Sequence, residues 1–476
     1  MFCMVGGLAF ACSDDREFDA PQAGAGGADG GSAPETAGDG SVGGDTATGA
    51  TGGQSLTEGG AGGIAGSDAN AGAGGVTPTS TCAEGYSSWL TSSFAFPDGT
   101  VIGTADFPSF PWKPSGSLSL ETGRLTGVGT AVVSQSAAFP SDGTRIRFRA
   151  RFSDSSQEVS VAIDAADDGA GGIRLNLAAS GDLVLSEGAS SRGQASFDAL
   201  DTGTDWFVEA ELDGASAHVT LASDAYGKPS TTVAVIDTDA LKQTVTGKKT
   251  AVRLDSQVGI AAAVDEISVD RCGVASPKYV AKAVDSFERA NSTTIGSAQL
   301  PPVAWDVPAG SFEIKDGALQ SKGDLSGASL WLPEALALTG LRIRTTVSAV
   351  TSGNNPFLWA DFNYNVTQGV HGISQPGFWV WGGPTDGGFY TGIFPGGGEL
   401  KHAGKQAATY YAQLDRDGDA AVITVREQSF EGPILGVQFA DSLTAGTKPG
   451  TYLTLGDEGG DGTRFEDIRV DVLPIE

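Results

Sequence analysis

A chain of 476 residues with 58 acidic against 29 basic side chains carries a net charge of −29, which repels nucleic acid and anionic headgroups instead of recruiting them. The length leaves room for about two to four ordinary cores. Glycine is abundant, at 70 residues, but it is concentrated near the start, and that concentration separates a leader from the part that folds.

Residues 1–12 are a short apolar run ending in Ala11-Cys12, too short to cross a bilayer as a helix and patterned like the end of a secretion signal. A cysteine preceded by small residues resembles the lipobox of bacterial lipoproteins. The resemblance implies that Cys12 bears lipid and begins the mature chain, so that the membrane is reached only through that anchor. It places the protein in a bacterial envelope, at the outer membrane or cell surface; the alternative is an ordinary cleaved signal and a secreted chain. Residues 13–81 are Gly, Ala, Ser, Thr and Asp with almost no large apolar side chain, and Arg16 alone faces ten carboxylates up to Asp68. Such a segment cannot bury enough surface to offset the entropy of ordering it, so a disordered acidic tether is predicted.

Beyond the tether the chain repeats itself. Phe94, Ile102, Gly103, Ala105, Pro108 and Trp112 are each followed 193 residues later by the same residue type: Phe287, Ile295, Gly296, Ala298, Pro301 and Trp305. Gly143, Arg145, Ile146 and Arg147 match Gly340, Arg342, Ile343 and Arg344 at 197, and Asp265-Glu266-Ile267 answers Glu466-Asp467-Ile468 at 201. The offset grows, so the second copy has gained residues. Two domains are predicted, at 82–274 and 275–476.

Within the first copy the periodicity is two. Arg145, Arg147, Arg149 and Arg151 alternate with Ile146, Phe148, Ala150 and Phe152, which puts the cations on one face of a strand and the apolar groups on the other. Those cations are expected to pair with carboxylates of a neighbouring strand. Similar strands follow at 159–163, 173–177, 183–185, 207–212 and 218–221, broken by Asp167-Asp168-Gly169, Ser180-Gly181-Asp182 and Asp213-Gly214, which are natural hairpin turns. No long amphipathic helix is predicted. The fold class is all-β: two tandem jelly-roll β-sandwiches after a disordered N-terminal tether. Because the first and last strands of a jelly roll usually lie side by side, Cys82 and Cys272, at the two ends of the first copy, are expected to form a disulfide. No CxxC spacing exists and the histidines are scattered, so zinc is not expected.

The second copy opens Asp285-x-Phe287-x-Arg289-Ala290, continues through Ser292-Thr293-Thr294-Ile295-Gly296 to Trp305, and closes on Glu466-Asp467-Ile468-x-Val470. This pattern resembles bacterial concanavalin A-like lectin and glucanase domains, including laminin G-like modules. The resemblance implies a jelly roll of two curved antiparallel sheets that binds sugars, frequently with a structural calcium, which makes calcium a candidate cofactor. Glucanases of that superfamily carry Glu-x-Asp-x-Glu on one strand, so that carboxylates share one cleft. No such triplet occurs here, nor Gly-x-Ser-x-Gly or His-Glu-x-x-His, and a non-catalytic protein is expected, with a glycoside hydrolase or lyase of unrecognised site as an alternative.

Aromatic residues crowd positions 357–394, far above the chain's 8%. By strand alternation Trp359, Asp361 and Asn363 share one face, as do Trp379 and Trp381, which oppose Phe378 and Val380. Rings beside an acid and an amide suit a sugar, whose C–H face stacks on a flat ring while its hydroxyls take donors and acceptors. These five residues are the predicted carbohydrate site, with core packing of the aromatics as the bland alternative. The acidic turns at 415–419 and 457–461 are candidate calcium ligands or plain hairpins. The expected partner is a polysaccharide or glycan, bound by a monomer mainly through its second domain; the rival class is a structural or adhesive envelope spacer.

Overall fold

The structure is a computed structural model that describes residues 82–476 except 215, 227–231, 238–246, 257–261, 335, 349–354, 361–376, 383–387, 395–397, 404–406, 442, 444–451, 459–461 and 476. Cys12 and the tether lie outside the described residues, and so do Asp361 and Asn363. No helix occurs among the described residues.

Thirteen strands precede residue 273: β1 (Tyr86–Ser92), β2 (Lys113–Glu121), β3 (Arg124–Ser134), β4 (Asp142–Arg151), β5 (Gln157–Ala165), β6 (Ile173–Ala178), β7 (Asp182–Glu187), β8 (Ser190–Ser196), β9 (Asp205–Asp213), β10 (Ser216–Ala222), β11 (Thr232–Asp237), β12 (Lys249–Ser256) and β13 (Ala262–Cys272). Thirteen follow: β14 (Val280–Asp285), β15 (Trp305–Lys315), β16 (Ala318–Trp331), β17 (Thr339–Ser348), β18 (Asn355–Ala360), β19 (Gly377–Gly382), β20 (Phe389–Phe394), β21 (Gly398–His402), β22 (Thr409–Asp417), β23 (Ala420–Arg426), β24 (Ile434–Ala440), β25 (Tyr452–Glu458) and β26 (Arg464–Val472).

The first group pairs antiparallel in the order β11-β10-β9-β4-β13-β3-β12-β5-β6-β7-β8, with β1 on β13 and β2 on β3. The two ends of this path, β8 and β11, come back into contact, so the sheet rolls up around one core. The second group runs β24-β23-β22-β17-β26-β16-β25-β18-β19-β20-β21, with β14 on β26 and β15 on β16. Each of its strands takes the place of the strand thirteen earlier. Smaller features correspond as well. Phe94 and Phe287 both have left-handed backbones, at φ 51° and 54°, a conformation uncommon for a bulky residue. Each ring lies against the matching tryptophan: Phe94 on Trp112 with centroids 5.5 Å apart, Phe287 on Trp305 at 5.7 Å.

Side-chain alternation decides what each strand buries. On β4, Ile146, Phe148 and Ala150 are buried in the core, and the arginines on the other face meet carboxylates from β13 and from β9 or its approach. Arg145 and Arg147 lie 2.9 and 3.0 Å from Asp270, Arg149 is 2.9 Å from Asp265, and Arg151 is 2.6 Å from Asp205. The expected pairing with neighbouring carboxylates is present. β5 corrects the reading of a half-buried strand: Ser160 and Ala162, expected on its open face, are buried too. Ala162 packs with Val132, Ala165 and Ala251 in a small cluster on that face, and in the turn after β5 Gly169 approaches Thr130, Val132 and Ala251 while Arg174 donates to the Gly169 carbonyl at 2.6 Å.

Cys82 and Cys272 are disulfide-bonded, with Cα atoms 5.6 Å apart, because β1 runs beside β13 with Tyr86 opposite Cys272. Closing a loop of this length limits the unfolded chain and is worth up to about 5 kcal/mol on chain entropy.

Both sandwiches belong to one compact unit. Asp415 of β22, almost fully buried, accepts from Arg342 Nε at 3.0 Å and from the Ser109 hydroxyl of the first sandwich. Tyr279 shares a hydrogen bond with that hydroxyl at 2.9 Å, and the Arg342 guanidinium lies 4.2 Å from its ring centroid. Burial works against the charge of Arg342, but Asp415 and Tyr279 hold its pKa above the ordinary value. Lys249 lies 3.6 Å from Asp417, and Lys113 2.5 Å from Asp419. Leu473, just past β26, is buried within the core of the first sandwich.

Candidate functional site

β18, β19 and β20 carry the aromatic stretch and lie side by side. Phe357 is opposite Trp379 and Trp359 opposite Gly377; Trp379 is opposite Gly392 and Trp381 opposite Tyr390. Phe378 and Val380 are 1% and 2% exposed, and Phe389 and Ile393 are buried with them in the second core. This is the core face the alternation predicts. Trp359, Trp379 and Trp381 therefore have defined places on strands, although their side chains lie outside the described set. Asp361 and Asn363, the other two of the five predicted residues, lie outside the described residues.

Several described side chains around these strands are polar, beside the exposed Leu400 of β21. Tyr390 is half-buried, with the Lys401 ammonium 5.6 Å from its ring centroid. His402 stacks on Phe389 at 4.6 Å and meets the Thr391 hydroxyl at 2.9 Å, and that hydroxyl donates to Gln438 Oε1 at 2.8 Å. A three-residue polar chain is thereby satisfied at the margin of an apolar core, as buried polar groups require.

The corresponding strands of the first sandwich, β5, β6 and β7, carry Ser160 opposite Asn176 and Ala162 opposite Arg174. No ring lies at these four positions. Burial raises the pKa of nearby Glu158, and Asp255 raises it further. Burial lowers that of Arg174, and Arg253 lowers it further. The chemistry of the two surfaces differs although their strand places match.

The acidic turns have assigned work. Asp415, Asp417 and Asp419 end β22 and form its tight turn into β23, and each accepts from a cation or hydroxyl at the junction of the sandwiches. The 415–419 stretch is thus the plain hairpin turn between β22 and β23, with its carboxylates engaged by Ser109, Ser134 and Lys113. Asp457 accepts from Ser321 Oγ at 2.7 Å; residues 459–461 of its turn lie outside the described residues. Among the described residues no group of three or more His, Cys, Asp or Glu is placed to hold a metal ion. The closing-strand carboxylates are structural in their contacts: Asp265 pairs with Arg124 and Arg149, each at 2.9 Å, and Asp467 accepts from the Thr346 amide at 2.6 Å.

No protein-family model matches this chain, and no curated protein matches it. Solved structures do. The VIP36 exoplasmic/lumenal domain in its Ca2+/Man2-bound form matches at 12% identity over 41% of this chain and 89% of that one, with TM-score 0.30. The carbohydrate-binding module CBM66 from Bacillus subtilis matches at 11% identity over 33% and 94%, TM-score 0.26. The catalytic domain of an endo-1,3-beta-glucanase (laminarinase) from Thermotoga petrophila RKU-1 matches at 13% identity over 41% and 98%, TM-score 0.29. At such scores the fold rests on the strand pairing above and not on the likeness.

Proposed function

We propose that this chain is a non-catalytic carbohydrate-binding protein of a bacterial envelope, anchored by lipid on Cys12, spaced from the surface by residues 13–81, and binding glycan through β18–β20. One observation carries the reading: Phe378 and Val380 are the buried positions of β19, which leaves Trp379 and Trp381 as the alternate positions, in register with Phe357 and Tyr390. A row of rings across three strands suits the C–H face of a pyranose, and neighbouring polar groups suit its hydroxyls. The two sandwiches divide the work in this reading, the first lacking rings at the matching strand positions. The test is a glycan array probed with the full exported chain beside its Trp379→Ala, Trp381→Ala double variant. Binding by the parent and loss by the variant support the reading. An array blank for both would leave a structural or adhesive spacer. Cys12→Ala tests the anchor: the protein should leave the detergent-soluble membrane fraction, and unchanged partitioning would refute lipidation.

A further inference from the structure

Trp331 ends β16 with 44% of its surface exposed, while Leu330 and Leu332 on either side are buried in the second core. A single exposed ring is ordinary on a protein surface, but the register of this one is not. Trp331 stands opposite Tyr452 of β25; two residues back, Ser329 stands opposite Thr454, which in turn stands opposite Trp359 of β18. Since Leu330, Leu453, Leu455, Phe378 and Val380 are the core positions of these strands, Trp331 and Tyr452 share the alternate face with Trp359, Trp379 and Tyr390. An aromatic residue therefore occupies that face on each of five neighbouring strands, β16, β25, β18, β19 and β20.

The residues between these aromatic positions are small. Gly377 is opposite Trp359, Gly392 opposite Trp379, and Gly456 opposite Phe357, and a glycine on a strand lets a ligand come close to the backbone. Between the places of Trp331 and Trp359 the Ser329 and Thr454 hydroxyls hydrogen-bond each other at 2.9 Å. The first sandwich uses the same register otherwise. Val132, Ala251 and Ala162 stand side by side where the second has Ser329, Thr454 and Trp359, and they pack together. Two residues on, Ser134 and Lys249 take the places of Trp331 and Tyr452, and both engage Asp417 at the junction. One copy's register is taken up by the chain's own packing; the other's carries rings separated by glycines and hydroxyls.

We infer that β16 and β25 extend the β18–β20 site, with Trp331 as a further stacking residue, and that the ligand is an interior stretch of a neutral, linear polysaccharide lying across the strands. Five strands about 4.8 Å apart span roughly 19 Å, and a sugar in an extended chain advances by about one such spacing, so the row matches about four sugars. A terminal sugar would need one ring and not a row. Neutrality follows from the net charge of −29, which repels polyanions, and from Glu399 and Lys401, which stand opposite Gly392 and Tyr390 and offset each other. The inference rests on the reading of β18–β20 as the glycan site and adds the chain type, the length and the reach to β16.

Affinity electrophoresis of the full exported chain tests it, in gels holding hydroxyethyl cellulose, lichenan, glucomannan or polygalacturonate. At least one of the three neutral chains should retard the protein, and polygalacturonate should not. Isothermal titration with oligomers of the retarding chain should show affinity rising about tenfold or more from dimer to tetramer and levelling off beyond. Trp331→Ala should remove most of that gain with the melting temperature held. Val280→Ala, which trims a side chain of similar exposure (47%) away from the row, should change nothing. Equal affinity for dimer and hexamer would overturn the inference, as would retardation by polygalacturonate, unchanged tetramer binding or a fall in melting temperature in Trp331→Ala, or an equal loss in Val280→Ala. A glycan array that lights up for the parent while no neutral chain retards it would overturn this inference alone. A blank array would remove the β18–β20 reading with it.

Discussion

In the first sandwich Trp112 donates its indole N–H to Ser92 at 3.1 Å, and the Phe96 ring lies against Gly103. In the second, Trp305 donates to Asp285 at 2.8 Å, and Arg289 stands against Gly296 where the first has Phe96. Asp285, 1% exposed, also pairs with Arg289 and accepts the Phe287 amide at 2.9 Å. One backbone turn is thus locked twice, by neutral packing in one copy and by a buried ion pair in the other. The disulfide belongs to the neutral copy only. The comparison teaches that the turn's backbone geometry is the shared requirement, while the chemistry that holds it is exchangeable. It also explains why the Asp-x-Phe-x-Arg pattern is strong in the second copy and missing from the first.

The sharpest way to break this comparison is Asp285→Ala. Removing the buried carboxylate takes the acceptor from the Trp305 N–H and the Phe287 amide and the ion-pair partner from Arg289, and a loss of about 3–5 kcal/mol is expected in urea denaturation. Ser92→Ala, which removes one neutral acceptor, should cost about 1 kcal/mol; equal losses would show that the locks do not differ in kind. Next in size, Cys82→Ser with Cys272→Ser should cost about 2–4 kcal/mol, and a null result would mean that β1 is held against β13 by pairing alone. Smaller in energy is Trp379→Ala with Trp381→Ala, expected to weaken glycan binding about tenfold with the melting temperature unchanged. A large fall in melting temperature would instead place those rings in the core.

The smallest effect concerns pH. Asp164 is buried in the first sandwich, and burial raises its pKa, although hydrogen bonds from the Phe139 amide and Gln135 oppose the rise. The folded state therefore favours the neutral acid. That contribution is fully present below the ordinary carboxylate range and is lost as pH rises through the raised pKa. Asp164→Asn should flatten this part of the melting temperature against pH, and an unchanged profile would show that the group does not titrate there.

Much of the fold was legible in the residues. The alternation of β4 named its buried and charged faces, and the placement of Cys82 and Cys272 at the copy's ends named their bridge. Local pattern could not show that Ala162 is buried, because it packs with Val132 and Ala251 of strands distant in sequence. Nor could it assign Asp415, whose partners Ser109 and Arg342 are 306 and 73 positions away. Trp379 and Trp381 could be singled out as candidates because ring density within a short stretch is a local signal.

Leu473 stands where the repeat register answers Cys272, yet its side chain is buried in the core of the first sandwich, with the Tyr279 ring packed against that core. A cut at residue 275 would respect the periodicity and still bare Leu473 and Tyr279 to water, and it would strip the Ser109 hydroxyl from Asp415. The repeat is thus the unit of the sequence pattern, and the pair is expected to be the unit of cooperativity. Scanning calorimetry of the parent chain should give a single heat-absorption peak, and a half expressed alone should be less stable than the same half in place.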